Sequence, residues 1–350
     1  MIIFRVEAND EIGWGHLSRC ISISKHLKNF GENFFYIFSS VSYPSKQKIQ
    51  SININHAFIH GNGFNEELME ITAILKIDIS KAILVYDVSY HGIFRHLDNF
   101  SKLMQHLRSV SQRLCLIDGL DSNSILMAKE ISADCGIVPY PFAEKRKYLD
   151  TKLGALHLGP DHFIFSPELL VASKKNIPKR IYKSRRVVLS LGGREDPESY
   201  AKLVYILEKS SLANLEVKIL GCDEKFHSTR HSIYNVGYVN NIYDYFNWAD
   251  FCILGGGLTR YEAAMLKCPT VIIARDCDNE YMLKEFCTLG SASYAGVIRK
   301  ISSHDLLKAI NSVMRKPIHD TFLKNCDTSK MVKKIILGWK DEQIYKCISN

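Results

Sequence analysis

His16 is the residue of this chain best suited to moving a proton near neutral pH, and its neighbours equip it for that work. It closes the segment Gly13-Trp14-Gly15-His16, after the apolar run Met1-Ile2-Ile3-Phe4. Leu17, Cys20, Ile21, Ser24 and Leu27 follow with the spacing of one helical face. The pattern predicts a strand, a two-glycine turn and a helix. Gly13 and Gly15 let the backbone turn sharply and approach a ligand closely. The first N–H groups of the helix, unpaired and at its positive end, favour an anion such as a phosphate. The same end disfavours an imidazolium, leaving the neutral ring that a general base needs. The other reading of His16 is a structural hydrogen bond at the helix start. The turn is not the dinucleotide fingerprint, because no third glycine follows at the required offset.

A second glycine-rich turn is Leu254-Gly255-Gly256-Gly257-Leu258-Thr259-Arg260-Tyr261-Glu262. Such a turn cradles a diphosphate on backbone N–H groups, with the Thr259 hydroxyl beside it. Glu262, a turn further on, is placed to accept two hydrogen bonds from a ribose. Equally, the segment reads as a tight strand–helix corner with Glu262 as a first-turn acid. Ser190-Leu191-Gly192-Gly193, running into Asp196-Pro197, is either a third ligand-facing exit or a plain turn before a helix. Asp278-Asn279-Glu280 reaches a sugar or phosphate, or caps the next helix. Asp87, with Tyr90 and His91 nearby, and Asp118, with Asp121 nearby, each end an apolar run. Each carboxylate orients His16, holds a sugar hydroxyl, or forms a turn.

Side chains so far apart in sequence need a scaffold that gathers loops. Ile2–Phe4, Phe34–Phe38, Ala82–Asp87, Leu114–Asp118 and Cys135–Val138 read as strands, with helical patterns between them, as near Phe94–Leu107. Tyr43–Asn55 is polar and left unassigned. The alternation restarts with Arg186–Leu191, Val217–Gly221, a short edge piece at Asn235–Val239, a helix over Asn241–Ala249, and strands at Phe251–Leu254 and Thr270–Ala274. Strands alternating with helices predict parallel sheets. Carboxylates at strand ends then fall on the ligand-binding edge. The expected fold class is α/β, with two Rossmann-like doubly wound domains facing a cleft. The boundaries are 1–170, a linker at 171–184, 185–318, and a helical tail at 319–350 that packs back.

Composition narrows the function. The 350 residues are 46% hydrophobic, ordinary for a globular chain. No apolar run reaches membrane-span length and no secretory signal opens the sequence, so a cytoplasmic protein is expected. The ten cysteines include no Cys-x-x-Cys pair and read as buried thiols, and no metal spacing is present. The net charge of +8 reads as a solvated surface. Its densest stretch, Lys174 to Arg186, has no aromatic ladder, so no nucleic-acid partner is expected; contact with anionic lipid is the remaining alternative.

In order, the motifs are Gly13-Trp14-Gly15-His16 with Arg19-Cys20, Asp87 with Tyr90, Ile117-Asp118, Leu158-Gly159-Pro160, Ser166-Pro167-Glu168, Leu191-Gly192-Gly193 with Asp196-Pro197, Gly256-Gly257 with Thr259 and Glu262, and Asn279-Glu280. This order resembles the UDP-sugar hydrolases of bacterial pseudaminic acid synthesis and the related spore-coat polysaccharide proteins, from Ile3 to about Glu285. The resemblance implies the GT-B fold, with UDP on the second domain. The diphosphate would lie near Gly256, Gly257 and Thr259, and the ribose at Glu262. His16 would activate water at the anomeric carbon, with Asp87 holding the sugar or orienting His16. The reaction would release UDP from an acetamido-deoxy sugar without metal or cofactor. Gly13, Gly15, Arg19, Tyr90, Asp118, Gly192, Gly193, Asn279 and Glu280 are the further substrate contacts expected. The family often has Gln where Glu280 stands, and a carboxylate facing a diphosphate is repelled unless it points elsewhere. A carbohydrate hydroxyl in place of water makes the same scaffold a glycosyltransferase, the second reading, with peripheral membrane contact. A non-catalytic nucleotide-sugar binding module is the third.

Overall fold

A computed structural model describes residues 1–339 apart from 10–11, 40, 61–63, 77, 89–96, 120–130, 148–151, 176–184, 193–195, 240, 279 and 316–321. The chain divides into two compact units, Met1–Pro167 with Asn325–Asn350, and Glu168–Lys324.

In the first unit the elements are β1 (Ile2–Val6), α1 (Gly15–Asn29), β2 (Phe34–Ser39), α2 (Tyr43–Ser51), β3 (His56–Ile59), α3 (Phe64–Leu75), β4 (Ile83–Asp87), α4 (Leu97–Val110), β5 (Arg113–Ile117), β6 (Ser132–Val138) and β7 (Lys152–Leu158). The seven strands form one sheet in the order β3-β2-β1-β4-β5-β6-β7, every neighbouring pair parallel. A sheet covered on both faces needs strands apolar throughout, and β1 and β4 are buried at every residue. The strand order reverses between β1 and β4: the crossover leaving β1 runs to one side and that leaving β4 to the other, the place where such sheets form a crevice at the strands' carboxyl ends. Val6 stands opposite Asp87 in the ladder. The core gathers Phe4, Val6, Leu17, Cys20, Ile23 and Leu27 with Met331, Val332, Ile335 and Ile336 from the chain's end.

The second unit follows α5 (Pro167–Ser173), with β8 (Arg186–Ser190), α6 (Pro197–Lys209), β9 (Glu216–Leu220), β10 (Ser232–Gly237), α7 (Ile242–Trp248), β11 (Phe251–Leu254), α8 (Thr259–Met265), β12 (Thr270–Ala274), α9 (Glu280–Cys287), β13 (Ala292–Val297) and α10 (Ser303–Arg315). Its parallel sheet runs β10-β9-β8-β11-β12-β13, reversing between β8 and β11. Leu254 stands opposite Ser190 there. The two glycine-rich turns of this half therefore leave adjacent strands at the reversal. Returning to the first unit, the chain forms α11 (Thr328–Met331) and one π-helical turn, Val332–Ile336.

Some elements differ from the sequence expectation. Tyr43–Ser51 is helical, started by proline in its first turn. The tail helix is shorter than Phe322–Trp339. β3, β7 and β13 were not expected; all three lie at sheet edges and are mostly half-buried, so their apolar signal is weak. Of the expected linker, residues 171–173 end α5 and 176–184 lie outside the described residues. Among the described residues no helix is long and apolar enough to cross a membrane.

Candidate functional site

The reversal in the first unit holds a buried charge cluster. β1 ends at Val6, and the chain closes a tight turn in which Gly13 N–H donates to Asn9 O at 2.8 Å and Ile12 N–H to Asn9 Oδ1 at 2.7 Å. Gly13 has φ +90°, a conformation a side chain rarely adopts. Gly15 then opens α1. His16, Arg19 and Cys20, at i, i+3 and i+4, share one helical face, and that face meets Asp87 at the end of β4. His16 Nδ1 is 2.5 Å from Asp87 Oδ1. Arg19 grips the same carboxylate with two N–H groups, Nε to Oδ2 at 2.9 Å and Nη2 to Oδ1 at 2.5 Å. Its third nitrogen, Nη1, donates to the Tyr140 hydroxyl. The Cys20 thiol points at Oδ2 from 3.8 Å.

Asp87 is fully buried, whereas the His16 side chain keeps 19% of its surface. Burial pushes the Asp87 carboxyl up, but the charge of Arg19 above all, with the hydrogen bonds from the His16 ring and Arg19, outweighs it and holds the group below the usual carboxylate range. Arg19 is held charged against its own burial by Asp87 and Tyr140. Burial and the neighbouring Asp87 charge keep the Cys20 thiol neutral. Nδ1 faces the ionised carboxylate and also lies 3.0 Å from Arg19 Nη2; in the tautomer that donates Nδ1–H to Asp87, the lone pair is on Nε2. The arrangement is that of an acid-oriented general base.

Asp118 is also buried. Its Oδ1 accepts from Gly119 N–H at 2.7 Å, and it is not bonded to His16. Tyr90 lies outside the described residues. Tyr140 was given no role from sequence; its signal was its place just after the strand ending at Val138.

In the second unit the reversal brings together the exits of β8 and β11. A Cβ on Gly255 would stand 2.5 Å from the Leu191 carbonyl oxygen, so glycine there lets the two strand exits touch. Gly256 and Gly257 are exposed, and nothing lies within 4 Å of a Cβ at Gly257. Gly192 has φ +109° and equally open surroundings; Gly193 is outside the described residues. Thr259 opens α8 with its Oγ1 buried and without a hydrogen-bond partner among the described residues. Glu262 keeps part of its surface open, yet the protein packed round its carboxyl pushes it up to about 7, and no partner among the described residues offsets that. Glu280 is engaged elsewhere: Lys284 Nζ is 2.8 Å and the Tyr294 hydroxyl 3.1 Å from its Oε1, and these bonds hold it below the usual range. Asn279 lies outside the described residues. The loop is braced from the side by Tyr200, which accepts from Leu191 N–H and donates to Leu220 O, each at 2.8 Å. Among the described residues no group of three or more His, Cys, Asp or Glu is arranged to hold a metal ion.

No protein-family model matches the chain. A relative in Methanocaldococcus jannaschii, the uncharacterized protein MJ1062, is 22% identical over 299 residues, 78% of this chain and 56% of that protein; the match thus spans just over half of the relative's length. Solved structures are similar over nearly their whole length. The MurG of Acinetobacter baumannii superposes with a TM-score of 0.61 at 11% identity, covering 97% of this chain and 99% of its own. The spinosyn rhamnosyltransferase SpnG gives 0.61 at 12%, over 95% and 99%. The UDP-GlcNAc 2-epimerase of Neisseria meningitidis, solved with UDP-GlcNAc, gives 0.54 at 9%, over 97% and 100%.

The chain has the GT-B fold. Each of its units carries one Rossmann-like parallel sheet, and in each the candidate residues sit where a GT-B sheet reverses its strand order. At these identities the likeness is one of fold, shared by sugar transferases and epimerases alike.

Proposed function

We propose that this GT-B chain transfers a glycosyl group from a nucleoside-diphosphate sugar, of the UDP class, with His16 as general base. The observation that carries the reading is the His16–Asp87 contact, clamped by Arg19, at the strand reversal of the first unit. Nε2 of His16 takes the proton of an attacking hydroxyl, whose oxygen bonds to the anomeric carbon. The bond from that carbon to the diphosphate breaks, and the nucleoside diphosphate leaves with its electrons. Asp87 stabilises the imidazolium that forms. The nucleotide belongs to the second unit, at Gly192, Gly256, Gly257 and Thr259, with its ribose on Glu262. A buried hydroxyl and a carboxyl, both without partners among the described residues, support that assignment, because a ligand supplies what the fold leaves unsatisfied. The structural neighbours, a rhamnosyltransferase and an epimerase solved with UDP-GlcNAc among them, support a nucleotide-sugar donor.

A second reading puts water in place of the acceptor hydroxyl, making the chain a UDP-sugar hydrolase of surface-glycan synthesis. The motif order from Gly13 to Glu280 favours it. One experiment separates the two. UDP release is measured from a panel of UDP-sugars, with and without carbohydrate acceptors, for the wild type and His16→Ala. Release that needs an acceptor supports transfer; release without one supports hydrolysis; either is lost in His16→Ala. Full activity in that variant removes His16 from the mechanism. Tight UDP binding with no turnover of any donor leaves a binding module instead.

A further inference from the structure

Arg260, the second residue of α8, is only 9% exposed. Its guanidinium lies 4.7 Å from the centre of the Tyr261 ring and 5.2 Å from that of Phe286. Nη2 donates to the Tyr261 hydroxyl at 3.0 Å. Among the described residues Nε is buried without an acceptor and no carboxylate pairs with the group. Guanidinium carries five N–H donors and does not lose its charge in a protein, so a buried one is stable only when paired. The two rings attract the cation but take none of its in-plane hydrogen bonds. Glu262, two residues further on and so on another side of the helix, is not the missing partner: burial alone sets its carboxyl, with no pull from a cation. The Cys287 thiol does feel Arg260, yet burial pushes it up to about 12 and it stays neutral.

The unpaired charge has a direction. Nη1 lies 3.5 Å from where a Cβ on Gly256 would stand, so the guanidinium borders the exposed glycine turn. The residue before it, Thr259, holds the buried unpartnered Oγ1. Consecutive residues thus present an Nε–H and a hydroxyl with nothing among the described residues to receive them, beside backbone bare of side chains. We propose that Arg260, with Thr259 and the Gly256-Gly257 backbone, forms an anion site that binds the ligand's phosphate oxygens and supplies the positive charge they require. The anion is the donor's diphosphate, so this inference rests on the function proposed above. A planar fork held by ring stacking suits that role, because little conformational freedom is lost when the phosphate arrives.

The test compares wild type, Arg260→Met and Arg260→Lys by thermal melting, alone and with inorganic pyrophosphate, and by calorimetric titration with UDP and with uridine. Pyrophosphate should raise the wild-type melting temperature. Arg260→Met, which removes an unpaired buried charge, should melt at or above the wild type when ligand-free. It should also lose the pyrophosphate shift, and bind UDP about ten- to a hundredfold more weakly with uridine affinity unchanged. Wild-type UDP affinity in Arg260→Met overturns the proposal, as does equal loss of UDP and uridine. Should Arg260→Met fail to fold, Arg260→Lys decides: a loss of UDP affinity relative to uridine supports the site, and an unchanged ratio overturns it. Pyrophosphate stabilisation of a wild type that turns over no nucleotide sugar keeps the anion site and removes the catalytic reading. Turnover with unimpaired UDP binding in the variants does the reverse.

Discussion

His16 and Asp87, 71 positions apart in the chain, meet with Nδ1 2.5 Å from Oδ1 because β1 and β4 are sheet neighbours with Val6 opposite Asp87. The contact joins the first turn of one helix to the last residue of a strand reached only after two intervening crossovers. It fixes the ring orientation of an otherwise ordinary helix-start histidine.

Replacing Asp87 by Asn should therefore damage both chemistry and fold. The amide no longer selects the tautomer with Nε2 free, and kcat should fall about 10³- to 10⁴-fold. Arg19 loses its counter-charge while staying buried, which should cost about 3–5 kcal/mol of stability. Steady-state kinetics and denaturant melts read the two effects; a kcat within tenfold of wild type removes Asp87 from the base.

Tyr140→Phe should act through Arg19. The phenol accepts from Nη1, and without it a buried charged donor is left unpaired, a loss of about 1–3 kcal/mol. The expected kinetic signature is a modest fall in kcat with KM for the donor unchanged. A variant with a changed KM and wild-type kcat places Tyr140 in substrate binding instead.

Stability against pH should carry the mark of Glu262. Its carboxyl titrates near 7 in the folded protein against an ordinary 4.5, so between those values the folded chain holds a proton that the unfolded chain has released. Stability then falls as pH rises from about 4.5 to beyond 7, by about 3 kcal/mol in all. Asp87 has the opposite sign: its lowered value makes its contribution full above the ordinary 3.8 and lost only as pH falls below that. Glu262→Gln should flatten the fall between pH 5 and 8 and weaken nucleoside binding. Thermal melts that decline in parallel for both proteins remove the effect.

Two glycines of one turn should respond differently to the same methyl group. Gly255→Ala sets a Cβ against the Leu191 carbonyl, where backbone cannot yield, and should cost about 1–3 kcal/mol or more. Gly257→Ala meets nothing within 4 Å and should leave stability within about 0.5 kcal/mol while weakening UDP binding. Unimpaired binding in Gly257→Ala moves the diphosphate elsewhere.

Local pattern carried much of this protein. The apolar run of β1, the glycine turn and the spacing of Leu17, Cys20, Ser24 and Leu27 state the opening strand–turn–helix unit outright. Central strands were legible because both faces of a parallel sheet are covered; edge strands β3, β7 and β13 were not, because half-buried positions tolerate polar residues. The pairing of Glu280 with Lys284 follows from their separation of four, whereas the second bond, from Tyr294, needs β13 in place beside β12.

The sequence by itself determined the fold class and the positions of the glycine-rich turns and of the helix-start histidine, since each shows in local pattern along the chain. Only the tertiary structure decided which carboxylate meets His16, and that Arg260 Nε and Thr259 Oγ1 are buried without a hydrogen-bond partner among the described residues. Those outcomes depend on strand order and on what covers a side chain. Both are set by packing across the whole unit, which no local spacing encodes.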